Sequence, residues 1–170
     1  MPVEFDYEFL QSITWYAIDL DGKVGAFDSG QMAQAAARFV TDWRRIDELV
    51  CALPESSEYR LLMRKDQYWD GVRPVTKLSE ENMKHIQELM WPTVQRIASE
   101  LPRRGIFQFY ATRHSYGMLP ATYDLVCLPV SPISATDLPP EALRIIKEVV
   151  APVRFNETRF TDIREWSNDR

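Results

Sequence analysis

The hydrophobic pattern begins with two short apolar runs on either side of an Asp-Gly pair. Residues 13–20 and 23–28 form the runs, and Asp21-Gly22 lies between them. This arrangement is typical of a β-hairpin, because a type I′ turn requires positive φ at both of its central residues. Both faces of the first run are largely apolar, so we predict that this strand lies inside a sheet rather than at its edge.

A long amphipathic helix is predicted directly after the hairpin. Ser29 is a suitable N-cap, and Pro54 marks the end of the helix. Between them, apolar residues recur at steps of four and three, as expected for a helix that packs one face onto the sheet. The stripe consists of Met32, Ala36, Phe39, Trp43, Ile46, Val50 and Leu53.

Two further helices follow from the same reasoning. Ser79 precedes a second stripe, which contains Pro92, so we expect either a kink there or two helices. The third helix is predicted at Glu141–Val150, after a proline-rich crossing. The second stripe consists of Met83, Ile86, Met90, Val94, Ile97 and Leu101.

Short apolar segments between these helices indicate further strands. Gly105–Thr112 and Thr122–Pro129 are predicted to pair antiparallel, and Tyr59–Met63 is a third candidate. The tail, Thr158–Trp166, fits either a closing strand or a short helix. The pattern therefore predicts an α+β fold, with a mostly antiparallel sheet and about three helices packed on it.

Composition supports a single domain that spans residues 1–170. The chain is 45% apolar and contains no repeat or linker. Its two cysteines, Cys51 and Cys127, are too few for a disulfide framework, and we predict two buried free thiols. The sequence shows no secretory signal and no apolar run of membrane-spanning length, so we expect a cytoplasmic protein without membrane association.

The net charge of −5 is concentrated at the start of the chain. Residues 1–30 hold six acids and one base, whereas the remainder holds 19 of each. Such a face does not suit nucleic acid, which requires a basic patch, but it does suit a basic protein partner. Asp19, Asp21 and Asp28 are therefore candidate binding residues. The alternative is that these acids only keep the protein soluble.

No motif in the sequence predicts a metal or a cofactor. Asp19-Leu20-Asp21-Gly22 is similar to the beginning of a calcium loop, but the later ligands of such a loop are absent. There are only two histidines, His85 and His114, and neither HExxH nor CxxC spacing occurs. Glycine-rich phosphate loops are also missing.

Two polar loops contain the remaining candidate residues. His114 lies between Arg113 and Tyr116 in the loop that joins two predicted strands, where it could act as an acid or base while Arg113 binds an anion. An ordinary hairpin loop is the alternative. Trp69 lies in the polar loop 64–74, either as an exposed recognition residue or as an anchor for the loop.

The hairpin also has a distinctive sequence pattern that continues in the C-terminal half. The pattern consists of W-Y-A-I-D-x-D-G-x-V-G-A-F-D-S-G at residues 15–30, then Tyr123, Pro129, Pro132, Asp137-Leu138-Pro139 and Phe155. It resembles a group of uncharacterised bacterial proteins, some of which are immunity-type proteins encoded near toxins. The resemblance implies a protein-binding role, and it carries over no site residues.

The sequence thus leaves two main hypotheses for function, beside a third, purely structural role as one component of a symmetric oligomer. The first, which we favour, is a non-enzymatic protein that binds a basic protein partner. The second is a small-ligand-binding protein or a hydrolase-like enzyme, with its site near Arg113, His114 and Tyr116.

Overall fold

A computed structural model describes residues 14–29, 43–65, 79–111 and 122–166, and the statements below refer to these residues. They form six strands and three α-helices. The strands are β1 (Thr14–Ile18), β2 (Val24–Asp28), β3 (Tyr59–Leu61), β4 (Phe107–Ala111), β5 (Thr122–Pro129) and β6 (Phe160–Asp162). The helices are α1 (Trp43–Cys51), α2 (Glu80–Ser99) and α3 (Pro140–Ile146), and short 3₁₀ turns lie at Pro102–Arg104, Ala135–Asp137 and Ile163–Glu165.

The described strands form one sheet in the order β1-β2-β4-β5-β3, and β6 also pairs with β5. The α+β prediction is confirmed, as is the antiparallel pairing of β4 with β5. The sheet is mixed, because β2 and β4 are parallel. The long connection between these two strands contains α1 and α2. It returns the chain to the end of the sheet at which β2 began, so β4 runs in the same direction as β2.

The predicted hairpin is confirmed, but its turn differs from the expected type I′ turn. Gly22 has a φ of +73°, and no described non-glycine residue has positive φ, so Asp21 lacks the conformation that this turn requires. The Asp19 N–H donates to the Lys23 carbonyl (2.9 Å), and the Gly22 N–H donates to the Asp19 carbonyl (3.0 Å). The loop therefore has three residues and ends on a left-handed glycine.

Within the described residues, β1 lies at the end of the strand order, whereas the sequence predicted an interior position. Both faces of β1 are nevertheless buried. Trp15 lies on one face, and on the other the Tyr16 hydroxyl donates to Asp47 of α1 (2.6 Å). The outer edge is partly covered by the segment after α3, because Ile18 exchanges backbone hydrogen bonds with the carbonyl of Val149 and the N–H of Ala151.

An aromatic layer fills the side of the sheet that Trp15 faces. Phe27 stacks between Trp15 (4.3 Å between ring centroids) and Phe109 (4.6 Å). Tyr123 and Trp166 meet both Trp15 and Phe27 edge-on. The indole N–H of Trp15 donates to the Tyr123 hydroxyl (3.2 Å), so the polar atoms of this layer are also paired.

Helices α1 and α3 pack against each other and against β1. Ile46 and Val50 of α1 are fully buried, which confirms the C-terminal part of the predicted stripe, and the helix ends before Pro54. The rest of that predicted helix, residues 30–42, lies outside the described residues. Helix α3 ends at Ile146, earlier than predicted, because the following chain pairs with β1.

Helix α2 is one continuous helix. Ser79 caps it, as predicted, by accepting a hydrogen bond from the Asn82 N–H (3.3 Å). Pro92 lies inside the helix, so the expected alternative of two separate helices is wrong. The Arg104 guanidinium donates to the carbonyls of Leu53 (3.0 Å) and Glu100 (2.6 Å), and it thereby links the C-terminal ends of α1 and α2.

The two cysteines differ in environment. Both thiols are free, as predicted. Cys127 is buried in β5, and burial raises the pKa of its thiol to about 12. Cys51 is exposed, so its predicted burial is wrong, because the last residue of α1 lies on the outer side of the helix.

Substitution of Gly25 tests how closely the C-terminal segment approaches the sheet. A Cβ atom on Gly25 would lie 2.6 Å from the Phe155 ring, so Gly25→Ala must displace that ring. We expect the free energy of unfolding to fall by about 1–3 kcal/mol in urea titrations. The same substitution in a Phe155→Leu background should cost clearly less, and an equal cost in both backgrounds would contradict the contact.

Candidate functional site

Asp19, one of the hairpin acids that were predicted to lie on an exposed surface, is buried in the structure. Asp19 is only 3% exposed. Its carboxylate accepts backbone hydrogen bonds from Asp21 (2.9 Å), Lys23 (2.7 Å) and Phe155 (2.8 Å). The prediction that Asp19 contributes to an exposed acidic face is therefore wrong. The carboxylate instead satisfies the amides of the turn and fastens the turn to the C-terminal segment.

Asp21 forms an ion pair at the hairpin tip. Its carboxylate lies 3.1 Å from Nε of Arg154, and each side chain is nearly half exposed. The hydrogen bond with Asp21 raises the pKa of Arg154. Arg154 thus offsets much of the local charge that the sequence assigned to this tip, although an ion pair this exposed is strongly screened by solvent.

Asp28 lies at the other end of β2, away from Asp19 and Asp21. The strand registers align it with Thr14, Tyr110 and Asp124 in one row across the sheet, and all four residues are half-buried. The parallel strands β2 and β4 have their carboxyl ends here, a position that often binds ligands in α/β sheets. Nearby Tyr123 keeps its proton, because burial raises its pKa to about 12.

The other candidate residues cannot be placed. Trp69, Arg113, His114 and Tyr116 lie outside the described residues, so their roles remain predictions. The described part of the chain before them ends at Ala111, the last residue of β4.

The structure also reveals a surface that sequence reasoning missed, on helix α2. Leu89 is 66% exposed, Met90 46% and Ile97 47%. Ile86 is half-buried beside them. We call these four residues the α2 surface. All four lie on one side of the helix, because positions three, four and seven residues apart share a side, and the polar, exposed Thr93 lies between Met90 and Ile97.

The α2 surface exists because the helix is apolar over more of its circumference than the core uses. Met83, Val94 and Ala98 are the apolar side chains of α2 that are buried, on the side that contacts β3 and β5. The α2 surface lies about a quarter of a turn away. The predicted stripe combined residues from both sides. The stripe itself covers only about 80° of the helix circumference, and the signal that it missed is the pair Leu89 and Ala98, which lie on either side of it and widen the apolar arc to about 180°.

The charges near the α2 surface are unevenly placed. Arg96 and Glu100 pair with each other near the C-terminal end of the helix (2.9 Å), and Glu88 lies 3.8 Å from Lys65. Glu80 and Glu81 are exposed in the first turn, and no ion pair is seen for either of them in the described structure. Both lie on the side of α2 that faces away from the α2 surface, one turn from exposed Lys84, so the acids of the first turn do not border the exposed apolar side chains.

Within the described ranges, no group of three His, Cys, Asp or Glu residues is placed to hold a metal ion. Among the described helices, none has both the length and the apolar composition of a membrane span. Comparisons with protein-family models, curated proteins and solved structures found no match. Function must therefore be argued from the surfaces themselves.

The two acids of the hairpin tip should differ sharply in their effect on stability. Asp19→Asn removes charge from a buried acceptor of three backbone hydrogen bonds, and we expect it to lower the free energy of unfolding by about 1–3 kcal/mol. Asp21→Asn is the matched control and should have a much smaller effect, because its ion pair is exposed to solvent. Equal losses in thermal or urea unfolding would contradict a structural role for Asp19.

Proposed function

We propose that this protein is a non-enzymatic binding protein whose partner is a basic protein, with an immunity-type role as the sequence resemblance implies. The observation that carries the proposal is the α2 surface. Single exposed apolar residues are common, whereas several on one side of a helix favour a protein-binding site.

The α2 surface can supply the affinity that a protein complex requires. Full burial of a Leu, Ile or Met side chain is worth roughly 1.5–3 kcal/mol. Leu89, Met90 and Ile97 each expose close to half of their area or more, and they lie on one side of the helix within just over two turns, about 12 Å. Their joint burial would therefore contribute several kcal/mol, of the size seen at the central residues of protein interfaces.

The charge of the chain favours a basic partner over a second copy. The net charge of −5 repels an identical molecule but attracts a basic one, and such attraction speeds association. The exposed first-turn acids of α2, Glu80 and Glu81, lie on the other side of the helix, so their attraction for a basic partner acts at long range and not as a contact in the interface. The α2 surface replaces the sequence-based interface at the hairpin tip, where Asp19 is buried and Asp21 is paired with Arg154.

A small-ligand site at the carboxyl ends of β2 and β4 is the second candidate. The alignment of Asp28 with Tyr110 and Asp124 favours it, since these side chains could bind a cationic or hydroxyl-bearing group. A ligand for this site should raise the melting temperature of the protein, and Asp28→Asn should reduce that rise.

Photo-crosslinking from Leu89 tests the protein-binding function. A crosslinking amino acid placed at Leu89 in the source cells should capture a basic protein, which is then purified and titrated with the unmodified chain. Leu89→Asp should weaken its binding at least about tenfold, because it places a charge in the apolar contact. Added salt should slow association.

Val130→Asp is the matched control, because Val130 is 59% exposed but lies outside α2. It should leave the affinity within about twofold, well below the tenfold change that 1.4 kcal/mol produces. The proposal fails if no partner is captured, if the captured protein binds Leu89→Asp as well as it binds the unmodified chain, or if both variants weaken binding equally.

A further inference from the structure

We propose that Asp21 is a site of spontaneous isoaspartate formation, and that the buried carboxylate of Asp19 sets the rate at which isoaspartate forms there. The inference is independent of the proposed function. It rests on the Asp21-Gly22 peptide, on the hydrogen bonds that restrain this peptide and on the connection of Asp19 to the C-terminal segment.

The reaction is an attack of the main chain on a side chain. The Gly22 nitrogen bonds to Cγ of Asp21 when that carboxyl group is protonated, and the carboxyl hydroxyl leaves as water with the N–H proton. Water then opens the resulting ring. Cleavage at the former main-chain carbonyl gives isoaspartate, and cleavage at the side-chain carbonyl restores aspartate. An Asp-Gly sequence favours ring closure because glycine has no Cβ to obstruct it.

The hairpin tip leaves room for this ring. The Asp21 side chain is nearly half exposed, so water reaches it. Apart from its chain neighbours, the nearest described atom that a Cβ on Gly22 would meet is Ser134 Oγ, at 3.9 Å. Within the described structure, protection of the Asp21-Gly22 peptide therefore comes from hydrogen bonds rather than from side-chain packing.

Hydrogen bonds hold both reacting groups. The Gly22 N–H donates to the Asp19 carbonyl (3.0 Å), which opposes loss of its proton, and the Gly22 carbonyl accepts from the Ala135 N–H (2.8 Å). The Asp21 N–H donates to the Asp19 carboxylate (2.9 Å). The Asp21 carboxylate is held by Nε of Arg154 (3.1 Å), although this contact is exposed and therefore weak. Ring closure thus requires the tip to open first.

Asp19 makes this opening costly. Its carboxylate also accepts hydrogen bonds from the N–H groups of Lys23 (2.7 Å) and Phe155 (2.8 Å). The tip therefore opens only if the buried carboxylate loses amide partners, which carries a large penalty. A reaction that proceeds only from a locally open state is slowed in proportion to the rarity of that state.

The modification would in turn loosen the connection. In isoaspartate the main chain passes through Cβ and Cγ, which adds one methylene group between Asp21 and Gly22. The loop has only three residues and is closed by the hydrogen bond from the Asp19 N–H to the Lys23 carbonyl (2.9 Å). An extra main-chain atom disturbs this closure, so the modified chain should also bind its Phe155 segment less firmly.

Ageing of the folded protein tests the inference. The unmodified chain and a synthetic peptide of residues 14–29 are incubated at physiological temperature and pH, and the aspartyl and isoaspartyl forms are separated by chromatography against synthetic standards of both. Isoaspartate at position 21 should form in the folded chain at least about tenfold more slowly than in the peptide. Equal rates in the chain and the peptide overturn the inference.

Asp19→Asn tests whether Asp19 controls the rate. In a variant that circular dichroism shows to be folded, isoaspartate at position 21 should form about tenfold faster than in the unmodified chain. Asp47→Asn is the matched control, because it also removes a hydrogen-bonded carboxylate, the partner of the Tyr16 hydroxyl, but away from the tip. Equal acceleration by both variants, or no acceleration by Asp19→Asn, overturns the inference.

Arg154→Gln decides the question if Asp19→Asn does not fold. Loss of its exposed contact with Asp21 should raise the rate about twofold. Arg159→Gln is the control, since Arg159 is exposed on the same segment, and it should leave the rate unchanged. Equal rates in these two variants overturn the inference.

Discussion

The hairpin and the C-terminal segment are held together by one buried carboxylate. A buried carboxylate is costly unless hydrogen bonds satisfy it, and Asp19 meets this constraint with three backbone amides from two distant parts of the chain. The amide of Phe155 brings its ring against Gly25 and into the aromatic layer beside Phe27. The connection therefore joins the hairpin turn, the C-terminal segment and the aromatic layer through one side chain.

The same constraint changes where function should be sought. Because Asp19 and Asp21 are engaged within the molecule, the hairpin tip does not present the acidic surface that composition suggests. On helix α2, by contrast, apolar side chains are exposed to solvent. Leu89 and Met90, residues that would ordinarily be expected in a core, are exposed on it, while α2 still contributes Met83 and Val94 to the buried side. Helix α2 therefore has two apolar faces, and its packing against the sheet uses only one of them.

Local signals in the sequence were sufficient for much of the fold. The hairpin at Asp21-Gly22, the N-cap at Ser79 and the strand Thr122–Pro129 were predicted correctly, because turn residues, caps and apolar runs act within a few residues. The parallel pairing of β2 with β4 was not predicted, since it depends on the path of the long connection between them. The burial of Asp19 was missed for a similar reason, because one of its hydrogen-bond partners, Phe155, is far away in sequence. The candidate site was predicted least well, because the periodicity of α2 does not reveal which of two adjacent apolar faces meets the sheet.

Hydroxyl-radical footprinting of the chain, alone and bound to its captured partner, tests the central claim most directly. Met90 is readily oxidised when exposed, and exposed Phe160 and Val130 serve as internal references on other parts of the molecule. If α2 is the docking surface, binding should strongly protect Met90 and Leu89 and leave the reference residues unchanged. Protection of residues at the hairpin tip, with Met90 oxidised as fast in the complex as in the isolated protein, would contradict it.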